Sequence, residues 1–117
     1  MSHIQEAEAQ HHEKMLLGGM MFDNTQVIAV MRSAVNSAFF RVVKHRFIFE
    51  AIEKLHRAYA KVDMLSVSNV LTEKKQLQIC GGLNYLTQLV GYAQAQAKAH
   101  HDNAIRQGVK EAGGKVE

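Results

Sequence analysis

Apolar residues recur at intervals of three and four along most of the 117-residue chain, the period of helices with one buried face. The densest run is Leu16-Leu17-Gly18-Gly19-Met20-Met21-Phe22. Leu16 and Met20 stand four apart, as do Leu17 and Met21, so they stack on one broad face of a helix. That helix is expected to start within Ile4–His12 and to end near Phe22. Two glycines inside a helix cost about 1 kcal/mol each relative to alanine. The apolar pattern continues past them, which points to a neighbouring backbone in close approach. A frayed helix end at Gly18-Gly19 is the alternative.

Asp23-Asn24-Thr25 supplies a stop and the next N-cap. A second helix carries Val27, Val30, Met31, Ala34 and Val35 on one face and ends near Asn36-Ser37. The aromatic pair Phe39-Phe40 falls in a connector and plugs the core between helices. The third helix, about Val43 to Ala60, aligns Ile48, Ile52, Leu55 and Tyr59, with Phe47 and Ala51 widening the stripe. Asp63 caps a fourth helix that buries Met64, Val67, Val70 and Leu71. Gln76-Leu77-Gln78-Ile79-Cys80 alternates apolar and polar residues and reads as a short strand or an extended connector. Gly81-Gly82 breaks it, and a fifth helix turns Leu83, Leu86, Leu89 and Val90 inward with Tyr85 beside them. The expected core is Leu17, Met20, Val27, Met31, Phe39, Ile48, Ile52, Leu55, Val67, Leu71, Leu86 and Leu89.

From Ala93 the character changes. Ala93, Ala95, Ala97, Ala99, Ala104 and Ala112 favour helix but offer little apolar area. The stripe there is thin: Ala97, His101, Ala104, Ile105 and Val109. A helix so short of buried surface is marginal in water without a partner. These five residues, with Tyr85, form the candidate partner interface. The pattern thus divides the chain into a polar, partly disordered segment 1–12, a helical head 13–92, and a C-terminal helix and tail 93–117. The fold class is all-α, a compact multi-helix head followed by a C-terminal helix.

Composition narrows the function by exclusion. A single cysteine, Cys80, rules out an internal disulfide framework and suits a reducing, cytoplasmic setting. No apolar run approaches the roughly 20 residues of a membrane span. There is no Gly-x-x-x-x-Gly-Lys-Ser/Thr loop, no Gly-x-Gly-x-x-Gly, no Cys-x-x-Cys and no His-Glu-x-x-His. No catalytic, cofactor-binding or metal-binding residues are therefore assigned. Glu8 and His12 have helical metal-pair spacing, but two ligands do not make a site. The net charge of +3 permits anionic partners without requiring them. Arg41 to Lys61 holds six Lys/Arg against two Asp/Glu, the composition of a candidate DNA-binding face. Glu50–Lys54 and Glu53–Arg57 pairs at i,i+4 use up much of that charge, so a solvated helix face is favoured.

Six segments fall in a familiar order. They are Leu16–Asn24, Phe39-Phe40, His45-Arg46-Phe47-Ile48-Phe49, Val62-Asp63-Met64-Leu65, Gln76-Leu77, and Gly81-Gly82-Leu83-Asn84-Tyr85-Leu86. Together they resemble the N-terminal, primase-side domain of DnaB-type bacterial replicative helicases, over roughly Glu13 to Val90. The resemblance implies an all-helical, non-catalytic module whose C-terminal helix begins a helical hairpin. It implies self-association, as a dimer through that helix and a hexamer in a full-length ATP-dependent helicase. It also implies binding to the C-terminal domain of primase. The motor would lie in a separate domain, which makes the chain look like a fragment. Arg41-Val42-Val43-Lys44 before His45, and Gln94–Ala99 before the tail, depart from the family's usual pattern. The competing readings are a small winged-helix-like DNA-binding domain and a primase C-terminal helicase-interaction domain. DNA binding by this chain is expected to be weak at most.

Overall fold

The computed structural model describes the backbone over residues 3–98 and side chains over 8–98. Five α-helices and one 3₁₀ turn account for its regular structure, and no strand occurs among the described residues. They are α1 (His3–Phe22), α2 (Asn24–Met31), the 3₁₀ turn (Ser37–Phe39), α3 (Val43–Arg57) and α4 (Met64–Glu73). The fifth, α5, covers 82–98 of the described residues. The helix α1 is already formed at His3, within the segment expected to be partly disordered, and α5 runs unbroken past Ala93.

Side-chain caps set the boundaries. Asp23 accepts from the Thr25 backbone N–H at 3.0 Å and from its hydroxyl at 2.7 Å, starting α2 one residue after α1 ends. Asp63 and Ser66 form a reciprocal capping box at α4. The Asn24 side-chain amide ties the start of α2 to the segment leading into α4. Its nitrogen donates to the Val62 carbonyl at 2.6 Å and its oxygen accepts from Val62 N–H at 3.0 Å. The second helix stops at Met31, five residues short of Asn36. Ser33 Oγ donates to the Val30 carbonyl and accepts from Val35 N–H, a local alternative to the helical ladder. Gln76–Cys80 forms turns, not a strand; Gly81 and Gly82 follow with φ of +93° and +70°.

Nine of the twelve expected core residues are buried: Leu17, Met20, Val27, Ile48, Ile52, Val67, Leu71, Leu86 and Leu89. Met31 and Leu55 pack at the margin. Phe39 is 46% exposed, and its neighbour Phe40 is the buried member of the pair. The 3₁₀ turn ends at Phe39 and the chain becomes extended at Phe40, which swings that ring inward to meet Phe49 at 4.9 Å between centroids. Tyr59 is 98% exposed. It lies beyond the end of α3 with φ +57°, so it leaves the stripe that Ile48 and Ile52 define.

The glycine pair behaves as its cost implies. A β-carbon on Gly18 would lie 2.0 Å from the Leu89 carbonyl oxygen of α5, and 3.3 Å from the Ala93 methyl. One on Gly19 would meet the Gln26 side chain at 2.2 Å. Gly18 is thus the point where α5 crosses α1 with backbones almost in contact.

Candidate functional site

Two surfaces of α5 matter: the one buried against the head and the one left outside. On the buried side, three helices meet at a polar cluster. Glu13 of α1 and His45 of α3 are each only 1% exposed. Glu13 Oε1 lies 2.7 Å from His45 Nδ1, and His45 Nε2 lies 2.5 Å from the Tyr85 hydroxyl of α5. The Glu13 carboxylate also accepts from the backbone N–H of Arg41 at 3.0 Å and of Val42 at 3.3 Å. Val42 caps α3 without any side-chain bond, so a carboxylate from another helix serves the start of α3. Burial pushes the Tyr85 hydroxyl up to about 12, with Glu13 and Cys80 adding to the effect. Lys44 Nζ sits 3.8 Å from the centre of the Tyr85 ring.

Neither Glu13 nor His45 was singled out by periodicity, yet both carry a signal. Glu13, Leu17 and Met20 are spaced i, i+4, i+7, and His45, Ile48 and Ile52 are spaced i, i+3, i+7. A charged residue at a core position of two separate stripes points to a buried pair.

On the outer side, residues 94–98 of α5 are all exposed. Ala93, Gln96 and Ala97 form one wall of a groove of about 310 Å³, whose other wall is Met15, Gly19, Phe22 and Gln26. Phe22 is 45% exposed there. Elsewhere between α1 and α5, Tyr92 bonds through its hydroxyl to His11 Nδ1, with the rings edge-on at 5.1 Å. Of the expected interface residues, Ala97 lies on this groove, whereas Tyr85 is half-buried with its hydroxyl committed to His45. His101, Ala104, Ile105 and Val109 lie outside the described residues.

The chemistry elsewhere is structural. Cys80 is fully buried, donates to the Lys44 carbonyl at 3.6 Å, and is pushed up to about 11 by burial, with the Lys44 charge working against that rise. Among the described residues no group of three or more His, Cys, Asp or Glu could hold a metal ion, and no helix is long and apolar enough to cross a membrane. Arg46 and Arg57 of α3 are engaged locally. Arg46 Nε donates to the Phe40 carbonyl at 2.7 Å and Arg57 pairs with Glu53 at 3.7 Å. Lys54 and Arg57 share a cleft with Glu50, Glu53 and Lys74.

Comparison with known proteins is consistent across three kinds of match. Residues 5–106 match the family described as DnaB-like helicase N terminal domain. The replicative DNA helicase DnaB of Buchnera aphidicola subsp. Acyrthosiphon pisum is 35% identical over 77 residues, 66% of this chain and 17% of that protein. That of Synechocystis sp. is 35% identical over 78 residues, 67% of this chain and 9% of that one. The matched part is therefore a small fraction of the length of either relative. Among solved structures, the N-terminal domain of DnaB helicase from Mycobacterium tuberculosis superposes with a TM-score of 0.66 at 25% identity, covering 68% of this chain and 55% of that one.

Proposed function

The chain belongs to the DnaB-like helicase N-terminal domain family, and on that premise we propose that it is a non-catalytic assembly and protein-interaction module of a replicative DNA helicase. In this reading it self-associates through the C-terminal helix, contributes to ring assembly, and receives the C-terminal domain of primase. The unwinding activity and its nucleotide chemistry belong to a full-length parent acting in the cytoplasm, and the module itself uses no cofactor. The observation that carries the reading is the family match joined to a helix, α5, that continues past the buried residue Ala93 with every residue of 94–98 exposed. Small side chains there lie beside an apolar groove, which suits close helix–helix contact. Isothermal titration of the chain with a primase C-terminal domain tests it. Saturable binding with a negative heat-capacity change is expected. Absence of heat at every temperature would remove the primase role.

The winged-helix reading lacks the strand that Gln76–Cys80 would have to supply for a wing, because that segment is a set of turns. It also lacks a carboxylate-free basic stripe, because Glu50 and Glu53 share the cleft with Lys54 and Arg57.

A further inference from the structure

The Glu13–His45–Tyr85 cluster joins three helices through one imidazole. Both oxygens of Glu13 act as acceptors, from Arg41 N–H, Val42 N–H and His45 Nδ1. That pattern places the ring proton on Nδ1. Nε2 then offers a lone pair, and the Tyr85 O–H donates to it. The order of donors is fixed along the whole chain, from Tyr85 to His45 to Glu13.

A second proton on His45 disturbs this order. Nε2–H and the Tyr85 O–H would face each other as two donors, and the hydroxyl hydrogen would have to turn away. The new cation would be enclosed, since the His45 ring is 1% exposed. The groups acting on it are Glu13 and Lys14 from α1, Lys44 from α3 and Tyr85 from α5, with the Cys80 thiol of the turn before α5 lying beyond, near the Tyr85 hydroxyl. Glu13 favours the cation, but two backbone N–H groups already share its charge. Burial and the two ammonium groups oppose it.

We propose that Glu13–His45–Tyr85 is a protonation-sensitive latch that fastens α5 to α1 and α3, and that a second proton on His45 loosens α5 ahead of the rest of the head. The helix α3 keeps its own anchors when the latch opens: Phe49, Ala51 and Ile52 are all fully buried. The helix α5 depends on Leu86, Leu89 and Ala93, on the Tyr92–His11 contact, and on the latch. Burial holds His45 below its ordinary value of 6.5, with hydrogen bonding and charge from Glu13 opposing the fall. The open form therefore binds the second proton more readily than the closed form. The latch is fully closed above about pH 6.5 and weakens as pH falls through that value toward the pKa of the closed form.

Amide hydrogen exchange on the intact chain, at about pH 7.5 and about pH 5.5 and corrected for intrinsic rates, reads the latch directly. Amides of 84–93 should lose protection at acid pH, up to about tenfold for each pH unit below 6.5 until the closed-form pKa is reached. Amides of 48–52 and 67–71 should hold theirs. His45→Gln should markedly shrink the pH response of α5 protection in this window, leaving only what the Tyr92–His11 contact contributes. Tyr85→Phe should lower it at neutral pH. Nitrogen shifts of the His45 ring should report the Nδ1–H tautomer and a pKa below 6.5. Equal loss of protection in all helices, or an unchanged pH response in His45→Gln, would overturn the latch. Should His45→Gln fail to fold, the ring titration decides: a pKa at or above 6.5 overturns it.

Discussion

Gly18 and Leu89 hold α1 and α5 in backbone contact, so close that a methyl group on Gly18 would sit 2.0 Å from the Leu89 carbonyl oxygen. Gly18→Ala gains about 1 kcal/mol of helix propensity but must push the crossing apart, an overpacking cost of about 1–3 kcal/mol or more. The expected net result is a lower urea midpoint. Gly91 lies on the same α5 with open space around it. Gly91→Ala should raise the midpoint by the equivalent of up to about 1 kcal/mol. Equal effects of the two substitutions would show that Gly18 is not a crossing point.

The aromatic pair should divide sharply. Phe40 is fully buried against Phe49, while Phe39 is nearly half exposed. Phe40→Ala is expected to cost about 3–5 kcal/mol, and Phe39→Ala far less. Denaturant unfolding of the two variants side by side checks this, and a reversed order would contradict the packing.

How legible the fold was from the residues depends on what kind of force set each feature. Helix positions and the Asp23 and Asp63 caps follow from local chemistry, and so does the inward face of α3 at Ile48 and Ile52. The close approach at Gly18 was readable because a glycine pair inside a helix demands a reason. Phe39 against Phe40 was not readable, since neighbouring aromatics in a connector differ only by the direction in which the turn delivers them. Tyr59 fitted the periodicity on paper, but the helix ends two residues earlier. For the site, the sequence marks Ala97 only as part of a thin apolar stripe, and the groove beside it arises from the packing of α1 against α5. The partners of Tyr85 were not, because they come from positions 40 and 72 residues away in sequence, where only the tertiary fold brings them together.

Cys80 should behave as a structural thiol. With its thiol pushed up to about 11, only about a thousandth is ionised at pH 8, and the sulfur is fully buried. Labelling by a disulfide reagent should be slow in the native protein and fast in urea. Rapid stoichiometric labelling without denaturant would place Cys80 in an accessible, activated setting.

Self-association through the C-terminal helix predicts a specific sensitivity at Ile105, the first large aliphatic beyond Val90. Ile105→Asp puts a charge into the proposed contact and should abolish any dimer. Far-ultraviolet dichroism and the unfolding midpoint of the head should stay as in the parent chain. Loss of the folded head in this variant would make the tail part of the core and remove the division near Ala93.

The most direct test of the assembly role is mass by light scattering behind size-exclusion chromatography, over a dilution series, with and without a primase C-terminal domain. A mass that climbs from 13.1 kDa toward about twice that value as concentration rises is expected, with co-elution of the primase domain. A mass of 13.1 kDa at every concentration, with the primase domain eluting unshifted, would contradict it.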